Sequence, residues 1–447
     1  MNTTLGLYIH FPFCVRKCAY CDFLSAPGSL EIRRAYTDAL IREISSWKEV
    51  PTAPVDTVFL GGGTPSVMDP EDLQRVMDAA RDSFTVLPDA EITMEMNPGV
   101  YEDRLFSFIS RNVNRVSCGL QSARNDELKK LGRIHSFADF ENCFQRLRAA
   151  GIRNINVDLM FALPGQTPGD WTQTLTTVAK MDPEHISAYS LIIEEGTPFY
   201  DLAGQGLLDL PDEDSERKMY ASVEDTLAQF GYSRYEISNY AKPGFACRHN
   251  IRYWKRKDYL GLGLGAASMM SAGNPHYMPR AASLIPAGNP DPGISLQADR
   301  PEISLPDRLT EPRGEYRWNC TDDLQIYIQE AGRQAPVYAK ACVSQENKFA
   351  DTNPSDKTTR NFIRLSTKEA MEEFMFLGPR MTEGVTDQDF RQSFGMELMD
   401  VYGKEIRDLR DNGLLTVKTE CGQKRISLTS RGTDISNSVL SEFLFDD

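Results

Sequence analysis

Three cysteines near the start of the chain, Cys14, Cys18 and Cys21, stand in a C-x3-C-x2-C spacing inside the stretch from Tyr8 to Phe23. A loop of that length can bring three thiolates to a common point. Iron–sulfur clusters take cysteine thiolates, so three of them can hold three corners of a [4Fe–4S] cube and leave the fourth iron without a protein ligand. Such an iron is a binding position, as the open position of a catalytic metal is. A zinc site and three unrelated cysteines are the alternatives. Structural zinc asks for four ligands, and no fourth Cys or His follows nearby. His10 lies in an apolar run before the motif and reads as a strand residue.

Other chemistry-bearing residues recur at one kind of position. Gly61-Gly62-Gly63-Thr64-Pro65-Ser66 directly follows a strand pattern. Its glycines let the backbone approach a ligand and offer bare N–H and C=O groups. It is not a P-loop, because no Lys-Ser/Thr follows; a tight turn is the plainer reading. Glu95 projects from the polar side of an alternating strand. A carboxylate facing a barrel interior is costly unless paired, so a sugar diol would suit it, and an ion pair with Arg133 is the structural alternative. Gln121, Arg133 and Asp158 are further polar candidates.

The elements that must position these residues alternate. Strand patterns run over Leu5 to Phe11, Val55 to Leu60, Glu91 to Met96, Arg115 to Leu120, Asn154 to Leu159 and His185 to Leu191. Helical patterns lie between them, including one capped by Ser29 and one opened by Asp69-Pro70. Six strands separated by helices imply βαβ units and a parallel sheet. Eight would close a full barrel, so six predict an α/β fold, an incomplete (β/α)6 barrel. The cysteine loop, the glycine turn, Glu95, Gln121 and Asp158 all fall toward strand C-terminal ends, where barrels place functional residues.

Beyond the barrel a helix runs from about Asp212 to Phe230, followed by extended residues from Tyr232 to Tyr240. Between 272 and 315, eight of 44 residues are Pro and four are Gly, which reads as a loop or disordered insertion dispensable for the barrel. Residues 331–361 are polar and similarly without pattern. Ser366-Thr367-Lys368-Glu369 is a capping box. Two helices, a hairpin turning at Cys421-Gly422 and a last helix from Ser430 then resemble a winged helix. The predicted division is 1–235 for the barrel, 236–271 as a connecting region, 272–361 as insertion and linker, and 362–447 as the winged-helix-like domain.

Composition bounds the function. The chain has 447 residues, 41% hydrophobic and 25% charged, as soluble globular proteins do. No run of 18 apolar residues predicts a membrane span, and Met1 to Gly6 lack the pattern of a signal peptide. Nine cysteines in such a chain point to a reducing cytoplasm, with the six outside the motif as free thiols. The net charge of −15 argues against broad nucleic-acid binding. In the tail, residues 362–447, 11 Lys/Arg face 16 Asp/Glu, which argues against DNA binding there.

The cysteine loop looks like that of the radical-SAM enzymes, whose open iron takes the amino and carboxylate groups of S-adenosylmethionine (SAM). More narrowly, the chain resembles the HemN/HemW group of radical-SAM proteins, over the barrel and the tail and weakly over 272–361. The resemblance implies Cys14, Cys18 and Cys21 as ligands of a [4Fe–4S] cluster and Tyr20 as the aromatic between the last two. It implies Tyr8, Gly62, Gly63, Thr64, Glu95, Gln121, Arg133 and Asp158 as SAM contacts. Within the group, coproporphyrinogen dehydrogenases carry a long N-terminal arm and a fourth Cys two residues after the motif; here that residue is Phe23, and 13 residues precede Cys14. The haem-chaperone branch carries H-N-x-x-Y-W, here His249-Asn250-Ile251-Arg252-Tyr253-Trp254.

In that branch the His is implicated in haem binding. A neutral imidazole is a common iron ligand, Tyr253 and Trp254 could flank a porphyrin, and Arg248 or Arg252 could meet its propionates. The plainer reading makes His249 a hydrogen-bonded residue closing the barrel. Where some relatives carry a second His after the following glycine run, Ala267 and Ser268 stand here. The expectation is a haem chaperone that passes haem to an acceptor protein, with room for peripheral contact with membrane haem proteins. The alternatives are an oxygen-independent coproporphyrinogen III dehydrogenase and a radical-SAM enzyme acting on another substrate such as RNA; the acidic charge counts against the last.

Overall fold

The computed structural model describes residues 4–99, 101–271, 309, 312–338, 356–420 and 422–445. Six strands form where alternating or continuous apolar runs placed them: β1 (Leu5–Phe11), β2 (Val55–Gly62), β3 (Val86–Met96), β4 (Arg115–Gln121), β5 (Ile155–Phe161) and β6 (His185–Ser190). Each pairs in parallel with the next. The helices between them start on the expected caps. The Ser29 side chain accepts from the Ile32 N–H, and Asp69 accepts from Glu71 ahead of Pro70. Those side chains satisfy donors that a helix start leaves unpaired. Apolar faces of the helices close over one core that includes Leu7, Ile9, Leu40, Leu60, Val76, Met94 and Trp171.

The sheet extends well past six strands. Its described order is β12-β11-β10-β9-β1-β2-β3-β4-β5-β6-β8-β7, with β7 (Ser233–Arg234), β8 (Asn239–Ala241), β9 (Tyr259–Leu262), β10 (Ala267–Ser271), β11 (Pro312–Cys320) and β12 (Thr359–Ser366). β9 is parallel to β1 on the side away from β2, while β10, β11 and β12 continue antiparallel. Two expectations are corrected here. The segment 236–271 is not merely a connection, since it supplies β8, β9 and β10. The loop-like stretches 272–315 and 331–361 hold the starts of β11 and β12; between those strands lies the helix Leu324–Glu330. In β11, Trp318 and Cys320 are buried while Arg317 reaches Glu373, a period of two that the neighbouring prolines obscured. The rest of the insertion, 272–308, lies outside the described residues, as do 339–355, Cys342 and Cys421. Helices at Arg104–Asn112, Asn125–Lys130 and Pro198–Gly204 were also not anticipated.

The tail has its own core of Met371, Met375, Phe390, Leu398, Tyr402, Ile406, Ile426 and Leu440. Ser366 and Glu369 form the expected capping box, which opens Thr367–Leu377. The hairpin of β14 (Leu415–Glu420) and β15 (Gln423–Leu428) gains a third strand, β13 (Val385–Thr386), beside β15. Among the described residues no helix is long and apolar enough to cross a membrane.

Candidate cofactor site at the barrel mouth

Because β1 to β6 are parallel, their C-terminal ends share one side of the barrel. The cysteine loop follows β1 there and is tied down by the backbone: Cys14 N–H donates to the Ala26 carbonyl and Ala19 N–H to that of Leu131. Cys14 Sγ lies 3.3 Å from Thr64 Oγ1, and Cys18 Sγ lies 3.5 Å from the Arg133 guanidinium. Burial, and the nearby Cys18 and Cys14 thiols, push the Cys21 thiol up. The three sulfurs thus face a common region. Among the described residues, no three His, Cys, Asp or Glu side chains are gathered closely enough to hold a metal ion.

The glycine turn packs against this loop. Gly63 and Thr64 N–H donate to the Phe11 and Phe13 carbonyls at 2.8 Å each. Gly62 has φ +108°, and a Cβ there would fall within 2.3 Å of the His10 ring. His10 is the buried strand residue expected, bonded to Tyr8 Oη and the Leu24 carbonyl. The need for glycine at Gly62 and Gly63 therefore comes from close packing on His10 and on the backbone of Phe11 and Phe13, as well as from any ligand.

Glu95 accepts the Gly62 N–H at 2.9 Å, and its partner is not Arg133. Burial, then the neighbouring Asp158 carboxylate, push Glu95 up to about 8. Asp158 accepts from Ser117 Oγ at 3.0 Å and Asn156 Nδ2 at 2.7 Å, and burial raises it against those bonds. Arg133 instead donates to Asn97 Oδ1 and the Gly119 carbonyl and lies beside Tyr20 as well as Cys18. Gln121 adopts φ +74°, a conformation that few residues other than glycine take, and its buried Oε1 finds no partner among the described residues. A strained residue holding an unfilled acceptor at the barrel mouth fits a ligand that brings donors.

Asn97 belongs to the same cluster and was not among the sequence candidates. Its Nδ2 donates to Thr64 Oγ1 at 2.7 Å while its Oδ1 receives Arg133, so it couples the glycine turn to the cysteine loop. Its place just after β3 was the available signal.

His249 is elsewhere. The motif forms the short helix Arg248–Trp254, whose start is held by Glu91: its carboxylate accepts the backbone N–H groups of Arg248 and His249. His249 Nδ1 bonds Thr57 Oγ1 at 2.9 Å and Nε2 bonds Tyr253 Oη at 2.8 Å. The ring is buried against Phe59. Burial, then Arg252 and Arg115, hold its pKa down at about 3. This is the geometry of the plainer reading, a hydrogen-bonded residue with both ring nitrogens engaged inside the protein. Arg252 is likewise committed, to Asp56 and to the Thr4 and Asp258 carbonyls. Thr57 lies near the start of β2 and Gly62 ends it, so five residues, or about 17 Å of strand, separate His249 from the mouth.

Just past that helix, Arg256 adopts φ +48°, a position that helices usually give to glycine. Its guanidinium is 7% exposed and bridges Glu315 of β11 at 2.7 Å and Glu373 of the tail at 3.0 Å. The tail is further joined by Thr382 N–H to the Tyr235 carbonyl and by a bridge between Glu236 and Met381.

Fold and site together define a radical-SAM protein. Residues 8–178 match the radical SAM superfamily and residues 365–434 match the HemN C-terminal domain. The chain is 31% identical to "Heme chaperone HemW" of Lactococcus lactis, over 98% of this chain and 97% of that one. It is 31% identical to the protein of the same name from Bacillus subtilis, over 98% of both. It is 39% identical to that of Escherichia coli, over 59% of this chain and 69% of that one. The chain belongs to the HemW family. A solved structure titled as coproporphyrinogen III oxidase (HemN) from Escherichia coli, a radical SAM enzyme, shares the fold with a TM-score of 0.73 at 19% identity, over 99% of this chain and 90% of that one.

Proposed function

We propose that this chain is a haem chaperone: it binds haem and passes it to an acceptor protein, in dependence on a [4Fe–4S] cluster and SAM. The observation that carries this reading over coproporphyrinogen dehydrogenation is the agreement with haem chaperones along barrel and tail together. Phe23 supports it, since the position where the dehydrogenase branch has a fourth Cys holds an apolar side chain, 62% exposed. Cys14, Cys18 and Cys21 would hold the cluster. Gly62, Gly63 and Thr64 would present a backbone edge to the SAM amino group, and Glu95 would accept from its ribose. Gln121, Arg133 and Asp158 would supply further polar contacts, with Tyr8 and Tyr20 beside them. When bound, cluster and SAM supply one-electron chemistry.

The test is a haem titration of the reconstituted protein beside an assay for coproporphyrinogen decarboxylation. Stoichiometric haem binding without decarboxylation is the expected result; decarboxylation by the wild type would overturn the reading.

Glu95 makes SAM binding depend on pH. Its free-protein pKa of about 8 leaves it mostly protonated at neutral pH. A ribose diol donates to the carboxylate, so binding should release a proton. Affinity should then rise by about tenfold per pH unit from pH 6 toward 8 and level off above it. Isothermal titration in buffers of different ionisation enthalpy would count the proton. A flat profile, or the same slope in Glu95→Gln, would remove Glu95 from the ribose.

A further inference from the structure

The barrel end that holds the His249 helix meets the tail across a cleft of about 500 Å³, open to solvent and lined by Trp254, Lys257, Phe374, Met381, Val385 and Gln392 among others. That space falls within the range of roughly 300–1,000 Å³ of clefts that take small organic ligands. Its wall is apolar where Phe374, Met381 and Val385 meet. Trp254 is the residue of the motif that reaches it, and its buried indole N–H finds no acceptor among the described residues.

The charges at the rim are unequal. Glu383 is paired with Lys255 at 2.6 Å, and Asp389 accepts from Thr386 Oγ1 at 2.7 Å. Arg256 is occupied by Glu315 and Glu373. Lys257 has no carboxylate within ion-pair distance among the described residues. In a chain of net charge −15, the lining sets Lys255, Arg256, Lys257 and Arg425 against Glu383 and Asp389, a surplus of positive charge.

An apolar wall, an unfilled indole donor and an uncommitted ammonium group together fit a flat apolar ring that carries carboxylates. We infer that haem sits in this cleft, its ring against Trp254 and Phe374, a propionate on Lys257 and its iron facing the Met381 thioether. Met381 is the soft donor on the lining, and thioethers are among the side chains that hold haem iron. The inference rests on the haem-chaperone reading and moves the cargo away from His249.

The experiment is haem titration of the full-length, cluster-reconstituted chain, followed by absorbance. Gln392 is exposed on the helix Asp387–Phe394, so Gln392→Trp should fill the cleft without disturbing a core. It should weaken haem binding by at least about tenfold, as should Lys257→Glu, which removes a charge-assisted contact. Met381→Leu should alter the absorption spectrum of the bound haem. Iron and sulfide content should match the wild type in all three. If Gln392→Trp fails to fold, Lys257→Glu carries the test, since Lys257 is exposed. Wild-type affinity in Lys257→Glu and Gln392→Trp would overturn the cleft while leaving the haem reading intact, and an unchanged spectrum in Met381→Leu would remove Met381 from the iron. A wild type that binds no haem would overturn the reading itself, and the inference with it.

Discussion

Cys14→Ala, Cys18→Ala and Cys21→Ala should each yield, after anaerobic reconstitution, a folded protein without the visible absorption of an iron–sulfur cluster. The loop offers three thiolates, and a cube that has already left one iron open has no spare ligand. The side chains around them cannot substitute. Thr64 and Arg133 touch the sulfurs, but a neutral hydroxyl is a poor soft-metal ligand and a guanidinium is none. Full iron and sulfide content in the three variants would show that the cluster, if any, is bound elsewhere. Folding should survive, because the three cysteines are only part-buried and the core beneath them is made by β1 and its neighbours.

His249→Ala should do the reverse. It leaves Thr57 Oγ1 and Tyr253 Oη without their partner in a buried setting and removes the ring that packs on Phe59. A loss of about 2–4 kcal/mol in denaturant unfolding is expected, the worth of two stranded polar groups and a small cavity. Haem affinity measured below the unfolding range should stay near the wild-type value. His249→Gln, which can keep one of the two bonds, should recover part of the stability. Lost haem binding with unchanged stability would restore His249 as an iron ligand and contradict the geometry described above.

The contrast between the three cysteines and His249 shows what could be read from the chain. The cysteine spacing specifies chemistry through local geometry, and a loop after a strand of a parallel sheet has one end of the barrel to occupy. The glycine turn, Glu95 and Gln121 were legible for the same reason. Asn97 obeys that rule too but lacks a motif of its own. His249 belongs to a motif whose residue types suit a porphyrin, yet its surroundings come from Thr57, Phe59 and Glu91, far away in sequence. No local pattern carries that information. β11 and β12 were missed for a related cause: β11 pairs with β10 across residues 272–311 and β12 with β11 across residues 321–358, and prolines beside a strand weaken its signature.

Arg256 has a mechanical consequence. The barrel and the tail each keep a separate hydrophobic core, so parting the walls between them exposes neither. What resists parting is a small set of joints, with one guanidinium clasping a carboxylate on each side. Pairs so enclosed are weakly screened by salt. Because the space between the two bodies is open to solvent, the clasp sets how far apart its walls stand, and a change in that spacing would be felt by whatever the walls hold.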